Sequence, residues 1–224
     1  MNNDRVYQRH IKVTDSEPIP NPVFVVTDIE ADGHSPLQNS MLSFASVAID
    51  MAGNRYGEFE AQLHPRADRQ PDPNTMAWWQ TQPDAWAATT ANQEAPDVVM
   101  NRFADWVDAL PAPHVFAAAP IVFDGLWMDH YLDSFAGTRV LGGPFKTRQI
   151  FRGGGVCLYT MAGTLRGAEY LKWGMQRVPA EWYGNIVHSH KAIDDARGFA
   201  NVLVKLFELS QGLEKVEATE SMYI

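Results

Sequence analysis

The chain has 224 residues, 46% apolar and 20% charged, which is the balance of a globular domain large enough for a sizeable core. Eighteen Lys and Arg against 27 Asp and Glu leave a net charge of −9, which argues against tight nonspecific binding to long duplexes. The single cysteine, Cys157, excludes an internal disulfide, no apolar run reaches bilayer length, and residues 1–20 lack a signal-peptide core, so a soluble cytoplasmic protein is expected.

Residues 1–20 are polar and without periodicity, and read as a flexible arm. The strand predicted at 22–30 is apolar and β-branched through Val26, which suits burial on both faces. It ends in Asp28 and Glu30, which the two-residue period of a strand turns to one side, and then in the turn Ala31-Asp32-Gly33. Two like charges held together in a core are costly unless a cation neutralises them, and a hard divalent ion is the natural partner. An acidic surface turn is the plain alternative. Ser40–Asp50 and Tyr56–His64 read as two further strands, joined at Ala52-Gly53-Asn54, giving a three-stranded meander.

A polar connection over residues 65–73 leads to a short helix carrying Trp78 and Trp79, with Asn74 as its expected N-cap. The tryptophans suit either core filling or a stacking surface for bases. Ala95–Leu110 has helical spacing, with Val98, Val99, Phe103, Trp106, Val107 and Leu110 on one stripe. His114–Ala119 reads as a strand and Ile121–Phe135 as a helix with Asp124 in its first turn. Such a carboxylate can serve the helix dipole, or a ligand site at the strand's end.

Residues 136–155 are glycine-rich, with Phe145–Phe151 a candidate fifth strand. Gly153-Gly154-Gly155 lacks the spacing and the terminal Lys of a phosphate-binding loop. Helices are expected over 156–164 and 167–173, and a final one over Lys191–Leu209, before a poorly ordered tail at 210–224. In that last helix Ile193, Ala196, Ala200, Leu203 and Phe207 share a stripe, with Asp195 on its flank and Asp194 nearly opposite. His190 can meet Asp195 only from the loop before the helix; otherwise it is a capping or core residue.

Asp28-Ile29-Glu30, Phe123-Asp124 and His190-Lys191-Ala192-Ile193-Asp194-Asp195-Ala196 stand in the order and spacing of the DEDD 3′–5′ exonucleases, in the histidine-containing (DEDDh) branch. The chain resembles that family over roughly residues 22–208, which marks 21–209 as its domain. The segment Asp72–Trp79 is similar to compact bacterial 3′–5′ exoribonucleases. Ala119-Pro120 departs from the His-Asn or Gly-Asn pair of many relatives. The resemblance implies an α/β, ribonuclease H-like fold, a five-stranded mixed sheet flanked by helices.

It further implies release of nucleoside 5′-monophosphates from a nucleic-acid 3′ end. Asp28, Glu30, Asp124 and Asp195 would hold two Mg²⁺ or Mn²⁺ ions roughly 3.5–4 Å apart, with His190 as general base and the backbone near Ala31, Asp32 and Gly33 meeting the terminal nucleotide. The acidity and the many aromatic residues favour a single-stranded end, and the resemblance of the Trp78-Trp79 segment to compact exoribonucleases implies RNA ahead of DNA. A DNA-directed proofreading enzyme and a noncatalytic nucleic-acid-binding module on the same fold are the rivals. The oligomeric state is not fixed by sequence, and a homodimer is left open.

Overall fold

The computed structural model describes residues 21–111, 113–142, 148–166 and 178–212. Five strands form one mixed sheet in the order β3-β2-β1-β4-β5. They are β1 (Val23–Ala31), β2 (Met41–Ile49), β3 (Arg55–Gln62), β4 (His114–Ala118) and β5 (Val156–Cys157). The first three make an antiparallel meander, and β4 and β5 add parallel to β1. β1 is therefore the central strand, covered on both faces, as its unbroken apolar run requires.

The period of two divides β1 between two cores. Val23, Val25, Ile29 and Ala31 face α3 (Pro96–Asp108) and α4 (Ile121–Phe135), where Phe44, Phe59, Phe103 and Trp106 form an aromatic cluster. Phe24 and Val26 face α5 (Leu158–Arg166) and the long C-terminal α6 (Ala192–Ser210). Asp28 and Glu30 continue this second face, so they emerge on the side that α6 covers. Ala196, Ala200, Leu203 and Phe207 are buried there as their spacing predicts, and Ile193 is half-buried. Two arginine contacts tie α6 to the meander, Arg197 to Glu58 at 2.6 Å and Arg55 to Asn201 at 2.9 Å.

Several expectations need correction. The fifth strand is β5, whereas 150–151 are irregular and residues 145–147 lie outside the described residues. The helix carrying the tryptophans, α1 (Pro73–Trp79), is capped by Asp72, whose Oδ1 accepts from Thr75 N at 2.8 Å. Proline suits the first helical position, which places the cap one residue earlier, at Asp72 rather than Asn74. Val98 is 52% exposed, because its neighbour Val99 takes the inward position on α3. A short α2 (Pro83–Thr89) was not expected from sequence. The expected arm at 1–20, the helix at 167–173 and the tail from 213 onward lie outside the described residues. Among the described residues no helix is long and apolar enough to cross a membrane.

Candidate active site

β1 carries Asp28 and Glu30 to the end of the sheet where the parallel ladder with β4 stops, its last pair being Val26 and Ala117. Beyond that point β4 leaves the sheet through Ala119 and the cis Ala119–Pro120 peptide, and α4 begins. Asp124, in the first turn of α4 and 3% exposed, reaches back so that its Oδ1 accepts from Ile29 N at 3.2 Å. Asp195, in the first turn of α6 and 4% exposed, arrives from the opposite layer. One carboxylate oxygen from each of Asp28, Glu30 and Asp195 lies within 4.8 Å of the other two. Asp124 stands beside this trio, close enough for its charge to act on both β1 carboxylates.

Burial is the largest cause of the electrostatic strain. It pushes Asp28 well above the ordinary carboxylate range, and the neighbouring charges of Asp124, Glu30 and Asp195 push it further. Glu30 is raised well above its usual value in the same way, by burial and then by Asp195 and Asp124. Burial lifts Asp124 to about 7, against the stabilising amide bonds to its carboxylate. Among the described residues no lysine or arginine pairs with Asp28, Glu30 or Asp124. Several buried oxygen donors converging without a counter-charge is the chemistry that a hard divalent cation satisfies.

The loop before α6 wraps around Asp195. Its Oδ1 accepts from Ser189 N at 3.1 Å and lies 2.9 Å from His188 Nδ1, while its Oδ2 accepts from His190 N at 3.1 Å. His190 is not helical: its φ of 56° is left-handed, and it precedes the cap residue Lys191. Its ring sits edge-on to Trp78 at 4.9 Å and to His188 at 4.3 Å. Burial, followed by the charge of His188, holds His190 below the usual histidine value, so a neutral ring that can accept a proton is favoured. His188 is raised by its hydrogen bond to Asp195. Asp194 instead accepts from Ser189 Oγ at 2.9 Å and lies 3.8 Å from Arg197.

A cleft of about 340 Å³ opens beside the carboxylates, lined in part by Glu30, Ala31, Gly33, His34, Trp78 and Phe123. The two tryptophans separate. Trp79 is 1% exposed and its Nε1 donates to Ala31 O at 3.0 Å, whereas Trp78 is 38% exposed at the cleft wall. Of the expected nucleotide-contacting turn, Ala31 and Gly33 line the cleft. Asp32 is buried with Oδ1 accepting from Ser40 N at 2.6 Å, so its side chain braces the turn. Gly33 is required by close approach, since a Cβ there would lie 2.2 Å from Asn39 Cγ. Sequence reasoning did not assign Phe123 or His34 to the cleft; for His188, beside Asp195, the His-x-His spacing was the available signal.

Comparison with known proteins follows the same lines. The family described as 3′–5′ exoribonuclease Rv2179c-like domain matches residues 23–207. No curated protein matches the chain. Among solved structures, the chain is similar to the nuclease domain of 3′hExo, a DEDDh family member, bound to rAMP. The identity is 12%, over 86% of this chain and 94% of that one, with a TM-score of 0.58. A full-length 3′-exonuclease is 12% identical over 91% of this chain and 93% of that chain, with a TM-score of 0.61. Exonuclease I from Methylocaldum szegediense is 18% identical over 85% of this chain and 41% of that one, with a TM-score of 0.59. At such identities the likeness is one of fold.

Proposed function

The chain belongs to the Rv2179c-like 3′–5′ exoribonuclease domain family, and from that premise we propose that it shortens single-stranded RNA from the 3′ end, releasing nucleoside 5′-monophosphates. The observation that carries this reading is the convergence of Asp28, Glu30 and Asp195 within 4.8 Å at the end of β1. Divalent metal ions are general to such enzymes, and this donor set fits them: its ligand atoms are all carboxylate oxygens, and among the described residues no lysine or arginine pairs with Asp28, Glu30 or Asp124. We assign Asp28, Glu30, Asp124 and Asp195 as ligands of two Mg²⁺ or Mn²⁺ ions, with Asp28 central because all three other carboxylates act on it. The ions would neutralise the phosphodiester and stabilise charge on its attacking and leaving oxygens.

The chain's own residues supply the remainder. His190 takes a proton from the attacking water as its oxygen bonds to phosphorus and the P–O3′ bond breaks. Its neutral ring supports that role. Asp195 orients His190 through the backbone amide of that residue. The terminal nucleoside would enter the cleft along Ala31 and Gly33, where Trp78 and Phe123 offer faces to an unpaired base. A net charge of −9 leaves little long-range attraction for duplexes, so contacts at the terminus carry the binding. We read residues 21–209 as the catalytic domain, with 1–20 and 210–224 as an arm and a tail outside it. We also read the protein as cytoplasmic and as compatible with homodimerisation, which sedimentation would test.

The deciding experiment is a time course with Mg²⁺ on one oligonucleotide sequence made as RNA and as DNA, each alone, blunt-paired and with a 3′ overhang. Stepwise shortening that slows at the duplex boundary, faster on RNA, is expected. Equal digestion of a blunt duplex would refute the single-strand reading, and faster hydrolysis of DNA would make this a DNA-directed enzyme.

A further inference from the structure

His188 belongs to none of the assignments above, yet it touches them. One ligand atom from each of His188, His190 and Asp195 lies within 4.8 Å of the others, a second group that shares only Asp195 with the carboxylate trio. His188 Nδ1 is already 2.9 Å from Asp195 Oδ1, and the two imidazole centroids are 4.3 Å apart. The left-handed backbone at His190 and the amide bonds of Ser189 and His190 to Asp195 fix this arrangement without help from a ligand.

The two groups differ in the ion they suit. The trio offers only carboxylate oxygen, which fits Mg²⁺. Two imidazole nitrogens and one carboxylate fit borderline ions such as Zn²⁺, usually four-coordinate with three protein ligands and one open position. Tetrahedral bonds of about 2.0–2.1 Å set neighbouring ligand atoms roughly 3.3 Å apart. The His188–Asp195 edge is near that separation, and the half-exposed His188 ring has room to close the rest.

We propose that His188, His190 and Asp195 form a site for Zn²⁺ or a similar late transition-metal ion, and that loading it stops hydrolysis. The inhibition rests on the catalytic reading of the preceding section. The ion occupies the His190 nitrogen lone pair that would receive water's proton, and engages the Asp195 carboxylate that the trio shares. Mg²⁺ favours the trio and sustains activity, whereas Zn²⁺ favours the histidines and suppresses it.

Co²⁺ added to the full chain reads the site directly, because four-coordinate Co²⁺ absorbs visible light far more strongly than six-coordinate, oxygen-bound Co²⁺. Wild type and Asp28→Asn should both show the intense band, Zn²⁺ should remove it, and His188→Gln should weaken it at least tenfold. In Mg²⁺-supported hydrolysis, with each protein referred to its own rate without Zn²⁺, half-inhibition should need at least tenfold more Zn²⁺ for His188→Gln. An equal band in wild type and His188→Gln overturns the proposal and leaves His188 as a hydrogen-bond partner of Asp195. Loss of the band in Asp28→Asn also overturns it, by placing the ion among the carboxylates. The spectrum needs no turnover, so an inactive protein with an intact band refutes the nuclease reading alone, and an active one without it refutes this site alone. If His188→Gln does not fold, wild type decides: Zn²⁺ must shift the ring nitrogens of both His188 and His190 in proton–nitrogen spectra, and unshifted rings overturn the proposal.

Discussion

Asp124→Asn should stabilise the metal-free protein, and the size of the effect should depend on pH. The Asp124 carboxyl is 3% exposed and is raised from 3.8 to about 7, chiefly by burial. A raised folded-state pKa means that the folded chain holds the proton more tightly than the unfolded chain does. The penalty is therefore absent below about pH 4, grows as pH rises, and is complete above about pH 7. A shift of roughly three units at 1.36 kcal/mol each sets a ceiling of about 4 kcal/mol, falling to about 1 kcal/mol at pH 4.5. Asparagine removes the charge and keeps an oxygen to accept from Ile29 N. Chemical unfolding in EDTA should therefore find the variant more stable by about 2–4 kcal/mol at pH 8. At 2–4 °C per kcal/mol that is a Tm rise of roughly 4–16 °C, with a much smaller difference at pH 4.5. Added Mg²⁺ or Mn²⁺ should stabilise wild type more than the variant, since a bound cation relieves the repulsion that asparagine has already removed. A variant less stable than wild type at pH 8, or a difference of equal size at both pH values, would refute the reasoning.

Other outcomes follow from the same geometry. His190→Ala should lower kcat by about 100- to 10,000-fold while leaving Mg²⁺ affinity, measured by calorimetry, close to wild type; an unchanged rate would remove the histidine from proton transfer. Excess EDTA should abolish hydrolysis and excess Mg²⁺ restore it, and full activity in EDTA would end the metal mechanism. Trp79→Ala should cost about 3–5 kcal/mol in unfolding experiments, because a fully buried ring and its bond to Ala31 O are lost. Trp78→Ala should cost under about 1 kcal/mol but raise KM for single-stranded substrate, and an unaffected KM would take Trp78 out of the substrate cleft. Gly33→Ala should destabilise the turn through its collision with Asn39, and a Tm equal to wild type would contradict that packing.

Much of the fold was legible because its main elements are long and periodic. The unbroken apolar run of β1, the strand alternation of β3 and the helical stripe of α6 each match one template. β5 was misplaced because a two-residue strand has no period to detect. The shift of the α1 cap to Asp72 was in principle readable, since Pro73 is better suited to the first helical turn than to a position before it. Adjacent valines at 98 and 99 could not both face inward on a helix that turns 100° per residue, and sequence alone did not decide between them.

The candidate site was legible where strand or helix geometry fixes a side chain, as for Asp28 and Glu30 on β1 and for Asp195 on the flank of α6. It was not legible where a loop sets the position. His190 reaches Asp195 through a left-handed residue that few side chains favour, and nothing in the local sequence announces that turn. The contact between His190 and Trp78 joins residues far apart in the chain, and depends on how α1 docks against the end of β1 through Trp79. The tryptophan pair, open to two readings in the sequence, divides between them: one ring fills the interior and the other stands at the cleft.

Where β4 leaves the sheet, the hydrogen bond that would have continued the ladder passes to a carboxylate: the amide of Ile29 donates to Asp124 and not to another strand. A backbone proton at the centre of the sheet is thereby made to answer to the charge state of the site. Protonating Asp124, or drawing its oxygens toward a cation, changes the acceptor for that one amide while the bonds between β1 and β2 stay in place. Solvent exchange at the Ile29 amide should thus report the charge and occupancy of the site from inside the framework.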